Sequence, residues 1–309
     1  MSVEIRKAKS IKMKVVLFAV KKMFAKMSMG NEMDLENLKK ARAFLEKKET
    51  ERTKNPNITF LRKNIDGVEV EVTEPKEKKS DNIVIFLHGG AFVLKMFPYE
   101  RAYVETLAEK LGCTVYAVEY SVSPENKYPV ALDECEKIYD RLINENSKRK
   151  ICIMGLSAGG NLAVALTLRL KEKKSTLPSS IVLHSPVIDL SGQLDRSINA
   201  DINNDIIVKY TGKKNSFAIY VGDADSKKYD VSPYYGDFNG FPTTFITCES
   251  HETLLADSLT LDSLLEKSGG TVKTVMMDGA FHAFAVMGTV VSETRVLMKE
   301  YIDFMNENF

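Results

Sequence analysis

The sequence predicts an α/β chain with a mostly parallel central sheet and helices on both faces. Three observations predict it. Short, continuously apolar and largely β-branched runs occur at residues 83–87, 114–120, 151–154, 181–185, 244–247 and 272–276. Helical stretches lie between and after them, near 99–111, 130–145, 159–173, 253–268 and 289–307. Strands apolar on both sides need cover on both faces, which alternating helices supply. The chain is also long enough, at 309 residues with 44% hydrophobic content, to bury such a sheet in one large domain or a domain with a lid.

Charge narrows the function classes. The net charge of +1 argues against a general nucleic-acid binder, which carries a marked basic excess. The basic residues are uneven, however: residues 1–30 hold Arg6, Lys7, Lys9, Lys12, Lys14, Lys21, Lys22 and Lys26 against Glu4 alone. The apolar core of that segment runs only from Val15 to Val20 before Lys21-Lys22. A secretory signal needs roughly 7 to 15 apolar residues and a membrane span about 20. Stable membrane insertion is therefore not expected, and a cytoplasmic location is. A cationic amphipathic helix remains, with Ile11, Val15, Phe18 and Met27 near helical spacing. Packing as a lid on this protein is the preferred placement, and lying on a membrane is the other.

Cys113, Cys135, Cys152 and Cys248 are far apart in apolar segments, without a C-x-x-C spacing, and read as buried free thiols. With four histidines and no H-E-x-x-H, neither a metal nor a cofactor is expected.

In chain order, residues 1 to about 50 read as helix with no strand signal, and Asn55-Pro56 ends that pattern. Residues 58–62 and 68–72 alternate apolar and polar around Asp66-Gly67, the pattern of an antiparallel hairpin at a sheet edge. A charged turn over residues 75–81 leads into the alternating part. In an open parallel sheet the active site lies beyond the carboxyl ends of the strands. The loops to inspect are 88–97, 121–129, 155–160, 186–230, 248–254 and 277–284. The 186–230 stretch is too long for a plain connection and reads as a functional insertion.

Those loops carry the chemistry. The 151–154 run stops at Gly155-Leu156-Ser157-Ala158-Gly159-Gly160 and a helix follows at once. A strand–turn–helix this sharp needs small residues around its apex, and it lifts the serine hydroxyl beside a helix N-terminus. After the first parallel strand comes His88-Gly89-Gly90-Ala91-Phe92, whose small residues let backbone N–H groups converge on one point. Gly89 and Gly90 are the expected donors from this side and Ala158 from the other, with His88 holding the loop. Ala91 is accommodated there if its φ stays negative. His282, between the last strand and a helix, has the position of a general base. Glu249, Glu252 and Asp257 follow the preceding strand, and Glu252, where the loop turns into a helix, is preferred over Asp257 as the acid.

These motifs together resemble the hormone-sensitive-lipase-like branch of the α/β-hydrolases, which includes bacterial acetyl esterases and arylacetamide deacetylase. The likeness spans residues 60 to 309. HGGAF resembles that family's HGGG motif, GLSAGGN its G-D-S-A-G-G elbow, and GAFHAF its G-x-x-H-x-F. EYSVSPENKYPVALDE (119–134), SPVIDLS (185–191) and DVSPYYGDFNGFP (230–242) resemble three further family stretches in the same order. The resemblance implies an α/β-hydrolase fold, a Ser157–Glu252–His282 triad and hydrolysis of short-to-medium acyl esters through an acyl-enzyme. It also implies a cap formed by residues 1–55 and 186–230, with the catalytic domain over 56–309. Departures are Ala91 for the third glycine, Leu156 for aspartate, Glu252 for the usual aspartate and Ser121 for arginine. A small-molecule ester substrate is the expected partner, and a homo-oligomer is left open. Relatives that lost the histidine act as small-molecule receptors, and an amide or peptide hydrolase shares the chemistry; His282 favours an enzyme. Phe92, Val187, Ile188, Tyr210 and Phe217 are candidates either for the acyl pocket or for lid core.

Overall fold

Continuous apolar runs become the central strands because both of their faces find cover. The computed structural model describes residues 3–26, 35–49, 55–146, 148–197, 205, 207–208 and 216–309. Tyr210 and Met27 lie outside these residues. The strands are β1 (Val3–Lys7), β2 (Ile58–Ile65), β3 (Val68–Pro75), β4 (Ile83–Leu87), β5 (Thr114–Val118), β6 (Ile151–Leu156), β7 (Ser180–His184), β8 (Thr244–Glu249) and β9 (Val272–Asp278). The helices are α1 (Ile11–Lys26), α2 (Leu35–Glu49), α3 (Pro98–Leu111), α4 (Val130–Glu145), α5 (Ala158–Glu172), α6 (Ser216–Val221), α7 (Leu255–Lys267) and α8 (Ser292–Asn308). One sheet contains all nine described strands in the order β1-β9-β8-β7-β6-β4-β5-β3-β2. Only the β2–β3 and β3–β5 pairings are antiparallel. The expected hairpin is thus at the sheet edge, turning at Asp66 and Gly67, both with positive φ.

Alternate residues of each central strand point to opposite cores. On one face Ile83, Ile85, Leu87, Ile153 and Leu183 pack with Leu132 and Ile138 of α4, Leu162 and Leu166 of α5, and Leu261 of α7. On the other, Val84, Phe86, Met154, Val182 and Phe245 pack with Tyr103 and Leu107 of α3 and Leu297 and Tyr301 of α8. All four cysteines are buried and free.

The N-terminal segment corrects an expectation. Residues 3–7 are not helical: they add a parallel strand to β9, from Val3 opposite Thr274 to Lys7 opposite Asp278. Five residues, three of them charged, carry too weak an alternation to be told from the Lys-rich helix beside them, and the open edge of β9 supplies the missing partner. Helix α1 also turns its faces differently from the expectation. Ile11, Val15 and Phe18 point outward, while Met13 and Phe24 are buried in two separate clusters. Phe24 joins Leu38, Ala41 and Leu45 of α2 against Val93, Leu94 and Phe97 of the loop after β4.

Candidate active site

The turn at the end of β6 is built by contacts that exclude side chains. A methyl group on Gly155 would lie 2.4 Å from the Gly159 carbonyl oxygen, and one on Gly159 would lie 2.0 Å from that of Leu87. Neither glycine is there for its φ; both are there for close backbone approach. Between them Ser157 is held at φ 53°, ψ −113°, outside the regions a serine ordinarily occupies. Its N–H donates to the His184 carbonyl (2.9 Å) and its carbonyl accepts from Asn161 (3.2 Å) and Val187 (3.3 Å), which leaves the hydroxyl uncommitted by the backbone. Leu156 is buried among apolar residues and closes on Gly89.

Neighbouring strand ends bring the other groups together. Ser185, just after β7, donates its N–H to Thr247 at 2.7 Å, and its Oγ accepts from the Ala283 N–H at 3.0 Å. That pins the loop after β9 beside the serine turn. In this loop His282 Nδ1 lies 2.7 Å from Glu252 Oε2, and both side chains are buried. The second oxygen of Glu252 accepts from the Glu249 N–H at 3.0 Å, which fixes the carboxylate. Burial works against the imidazolium, but the hydrogen bond and charge of Glu252 outweigh it, so His282 holds its proton above the ordinary histidine range.

Asp257 is occupied elsewhere. Its carboxylate receives Arg196 Nε (2.7 Å) and Nη2 (2.8 Å) and the N–H groups of Ile188 (2.9 Å) and Asp189 (3.2 Å). It anchors the segment after β7. Asp205 of the same segment accepts the Thr253 N–H at 2.8 Å, directly beside Glu252. Glu249, at the end of β8, accepts the N–H groups of His251 (2.6 Å) and Gly279 (3.2 Å). With His251 and Asp278 it forms a group close enough to hold a cation, but these bonds already commit Glu249 to shaping the loop.

The loop after β4 corrects one expected donor. The Gly89 N–H is not available: it donates to Glu100 Oε1 at 2.9 Å, in the buried first turn of α3. Glu100 Oε2 accepts the Phe97 N–H at 2.6 Å, so one carboxylate braces both ends of the loop. Burial pushes the Glu100 pKa up to about 7, with the two backbone N–H groups pulling against it. Gly90 and Ala91 lie between these anchors, at φ 106° and 54°. Ala91 therefore does not keep a negative φ; the left-handed turn is imposed by the anchored ends and by Val93 and Leu94 donating back to the Gly90 carbonyl. His88 is wholly buried, with Nδ1 2.7 Å from the Gly89 carbonyl and its ring stacked on Tyr120 at 4.0 Å. Burial lowers its pKa to about 3, so the ring stays neutral and serves the loop.

A cavity of about 220 Å³ is lined by His282 and Glu252 together with Leu17 and Lys21 of α1, Asp205 and Phe281. Phe92, Val187, Ile188 and Phe217 are all buried in one apolar cluster. The sequence does not point to Glu100, Ser185 or Asp205 as parts of the site. Glu100 had a partial signal, an acid in the first turn after Phe97-Pro98, while the partners of the other two are distant in sequence.

A mostly parallel sheet carrying a strained serine between strand and helix, with a buried acid–histidine pair beyond the ends of β8 and β9, defines the α/β-hydrolase class. The family model described as alpha/beta hydrolase fold matches residues 84–286. An esterase of Acinetobacter venetianus is 31% identical over 254 residues, 81% of this chain and 82% of that one. An acetyl-hydrolase of Streptomyces hygroscopicus is 26% identical over 71% of this chain and 73% of its own. The hormone-sensitive lipase of Mus musculus shares 31% identity over 38% of this chain and 16% of its own. An esterase from the bacterial hormone-sensitive lipase family superposes with a TM-score of 0.86 at 22% identity, covering 97% of this chain and 99% of that one. The chain belongs to the α/β-hydrolase fold family.

Proposed function

We propose that this protein is a serine carboxylesterase acting on short-to-medium acyl esters, with Ser157 as nucleophile, His282 as base and Glu252 as acid. The observation that carries it is the 2.7 Å His282–Glu252 pair in the loops after β8 and β9, tied through Ser185 to the segment bonded to the strained Ser157. His282 Nε2 takes the Ser157 proton as Oγ attacks the ester carbonyl. The N–H groups of Gly90, Ala91 and Ala158 hold the oxyanion, Ala158 by virtue of the free amides at the start of α5. His282 then protonates the leaving alcohol, and water, deprotonated by the same histidine, cleaves the acyl-enzyme. Glu252 keeps the imidazole in the tautomer that accepts at Nε2 and stabilises its cation. Helices α1 and α2 and the 186–230 segment act as the cap, and the cluster of Phe92, Val187, Ile188 and Phe217 limits the acyl chain.

Ser157→Ala removes hydrolysis of p-nitrophenyl butyrate, and wild type, but not the variant, is labelled by a fluorophosphonate. Wild-type turnover in the variant sinks the nucleophile assignment. A wild-type protein that resists the label is a receptor rather than an enzyme. Amide substrates turning over as fast as matched esters would move the reading to an amidase.

A further inference from the structure

Helix α1 presents two faces, and the fold uses only one. At about 100° per residue, Met13, Leu17, Val20 and Phe24 share the side that packs on the body of the protein. Ile11, Val15 and Phe18 form a line on the other side and are 80%, 61% and 60% exposed. Large apolar side chains in a row on a helix surface ordinarily mark something that covers them. Lysines surround this line: Lys12 on one flank, Lys14 and Lys21 on the other, and Lys22 at its end, its Nζ 4.6 Å from the Phe18 ring centroid. All four are exposed, and none has a carboxylate partner among the described residues. No acidic residue occurs in α1. No described helix is long and apolar enough to cross a membrane, so the pattern suits a surface and not a span.

We propose that the outer face of α1 docks on an anionic lipid surface. Ile11, Val15 and Phe18 enter the boundary between headgroups and acyl chains, and Lys12, Lys14, Lys21 and Lys22 meet the lipid phosphates. Charge selects this occupant over a second copy of the chain, because a self-complementary contact would set the lysines of one copy against those of the other. The cavity that holds His282 and Glu252 is lined in part by Leu17 and Lys21 of the same helix. The docking itself does not depend on the esterase reading.

The test is cosedimentation of the full chain with phosphatidylcholine vesicles, with and without phosphatidylglycerol, at low and raised salt. The wild type sediments with the phosphatidylglycerol vesicles, and salt weakens the binding. Replacing Val15→Ser and Phe18→Ser together lowers the partition coefficient about tenfold or more. Replacing Lys12→Gln, Lys14→Gln and Lys22→Gln together lowers it by roughly a hundredfold. The changed side chains are exposed, so both variants keep wild-type thermal melting and wild-type hydrolysis of water-soluble p-nitrophenyl acetate. Failure of the wild type to sediment, equal binding to neutral vesicles, or wild-type binding by both variants overturns the proposal. A concentration-dependent dimer that the Val15→Ser, Phe18→Ser variant loses, without vesicle binding, reassigns the face to self-association. Loss of binding with ester hydrolysis intact separates this proposal from that of the reaction.

Discussion

Glu252 and Asp257 are neighbours in sequence with different tasks in the structure. One lies against His282, and the other ties Arg196 and two backbone N–H groups of the segment after β7. Their variants should differ in kind. Glu252→Gln keeps the shape but loses the charge, and kcat for p-nitrophenyl butyrate falls by roughly 10³- to 10⁴-fold with little change in melting temperature. Asp257→Ala removes the carboxylate that neutralises the buried Arg196 and accepts two backbone N–H groups, and destabilises by about 3–5 kcal/mol, read as a lower melting temperature, while folded protein keeps most of its kcat. The pH profile follows from the same pair. A base must be unprotonated to act, and His282 holds its proton above the ordinary 6.5. Activity therefore rises with pH through a limb above that value. In Glu252→Gln the carboxylate that raises it is gone and burial remains, so the limb of kcat/KM moves to lower pH. An unmoved limb would mean that another group titrates. The serine was legible in the sequence because Gly155, Gly159 and Gly160 surround it, and the histidine because it follows the last strand and precedes a helix. Choosing among Glu249, Glu252 and Asp257 was not settled by residue type, since the acids follow the same strand.

At the scale of elements, the loop between β4 and α3 behaves as one unit clamped by Glu100. Glu100→Ala leaves the Gly89 and Phe97 N–H groups buried without acceptors and frees the segment that carries Gly90 and Ala91. The expected result is a kcat loss of about 10- to 100-fold, smaller than the roughly 100- to 1000-fold of deleting an aimed donor outright, with a much smaller effect on KM. Glu100→Gln keeps carbonyl acceptance for one N–H and falls between the two. Equal kcat in all three proteins would show that the loop holds its shape without the brace. The interior strands and the helices between them were legible, because continuous apolar runs and 3.6-residue periodicity are local properties. The positive φ of Ala91 was not, since its cause is a pair of anchors on either side rather than the residue itself.

At the scale of the whole molecule, β1 closes the sheet edge next to the strand that leads to His282. Arg6 adds contacts to Glu300 of α8 at 2.7 and 2.9 Å, and Ala8 donates to the Asp278 carbonyl at 2.8 Å. Deleting residues 1–8 exposes the β9 edge. The truncated protein should melt at lower temperature and form larger species by light scattering. An unchanged melting temperature would mean that β9 needs no partner.

The sequence by itself determined the interior strands and the helices between them, their order, the hairpin, the serine turn and the histidine loop, because each depends on residues within a few positions of one another; the strand over residues 3–7 was not among them. Tertiary structure alone decided which acid faces His282 across 30 residues, which amide Glu100 consumes and which side of α1 points outward. Those outcomes rest on strand register and on contacts between distant segments. No local pattern encodes them, since several carboxylates, several amides and more than one helix face satisfy the same local chemistry.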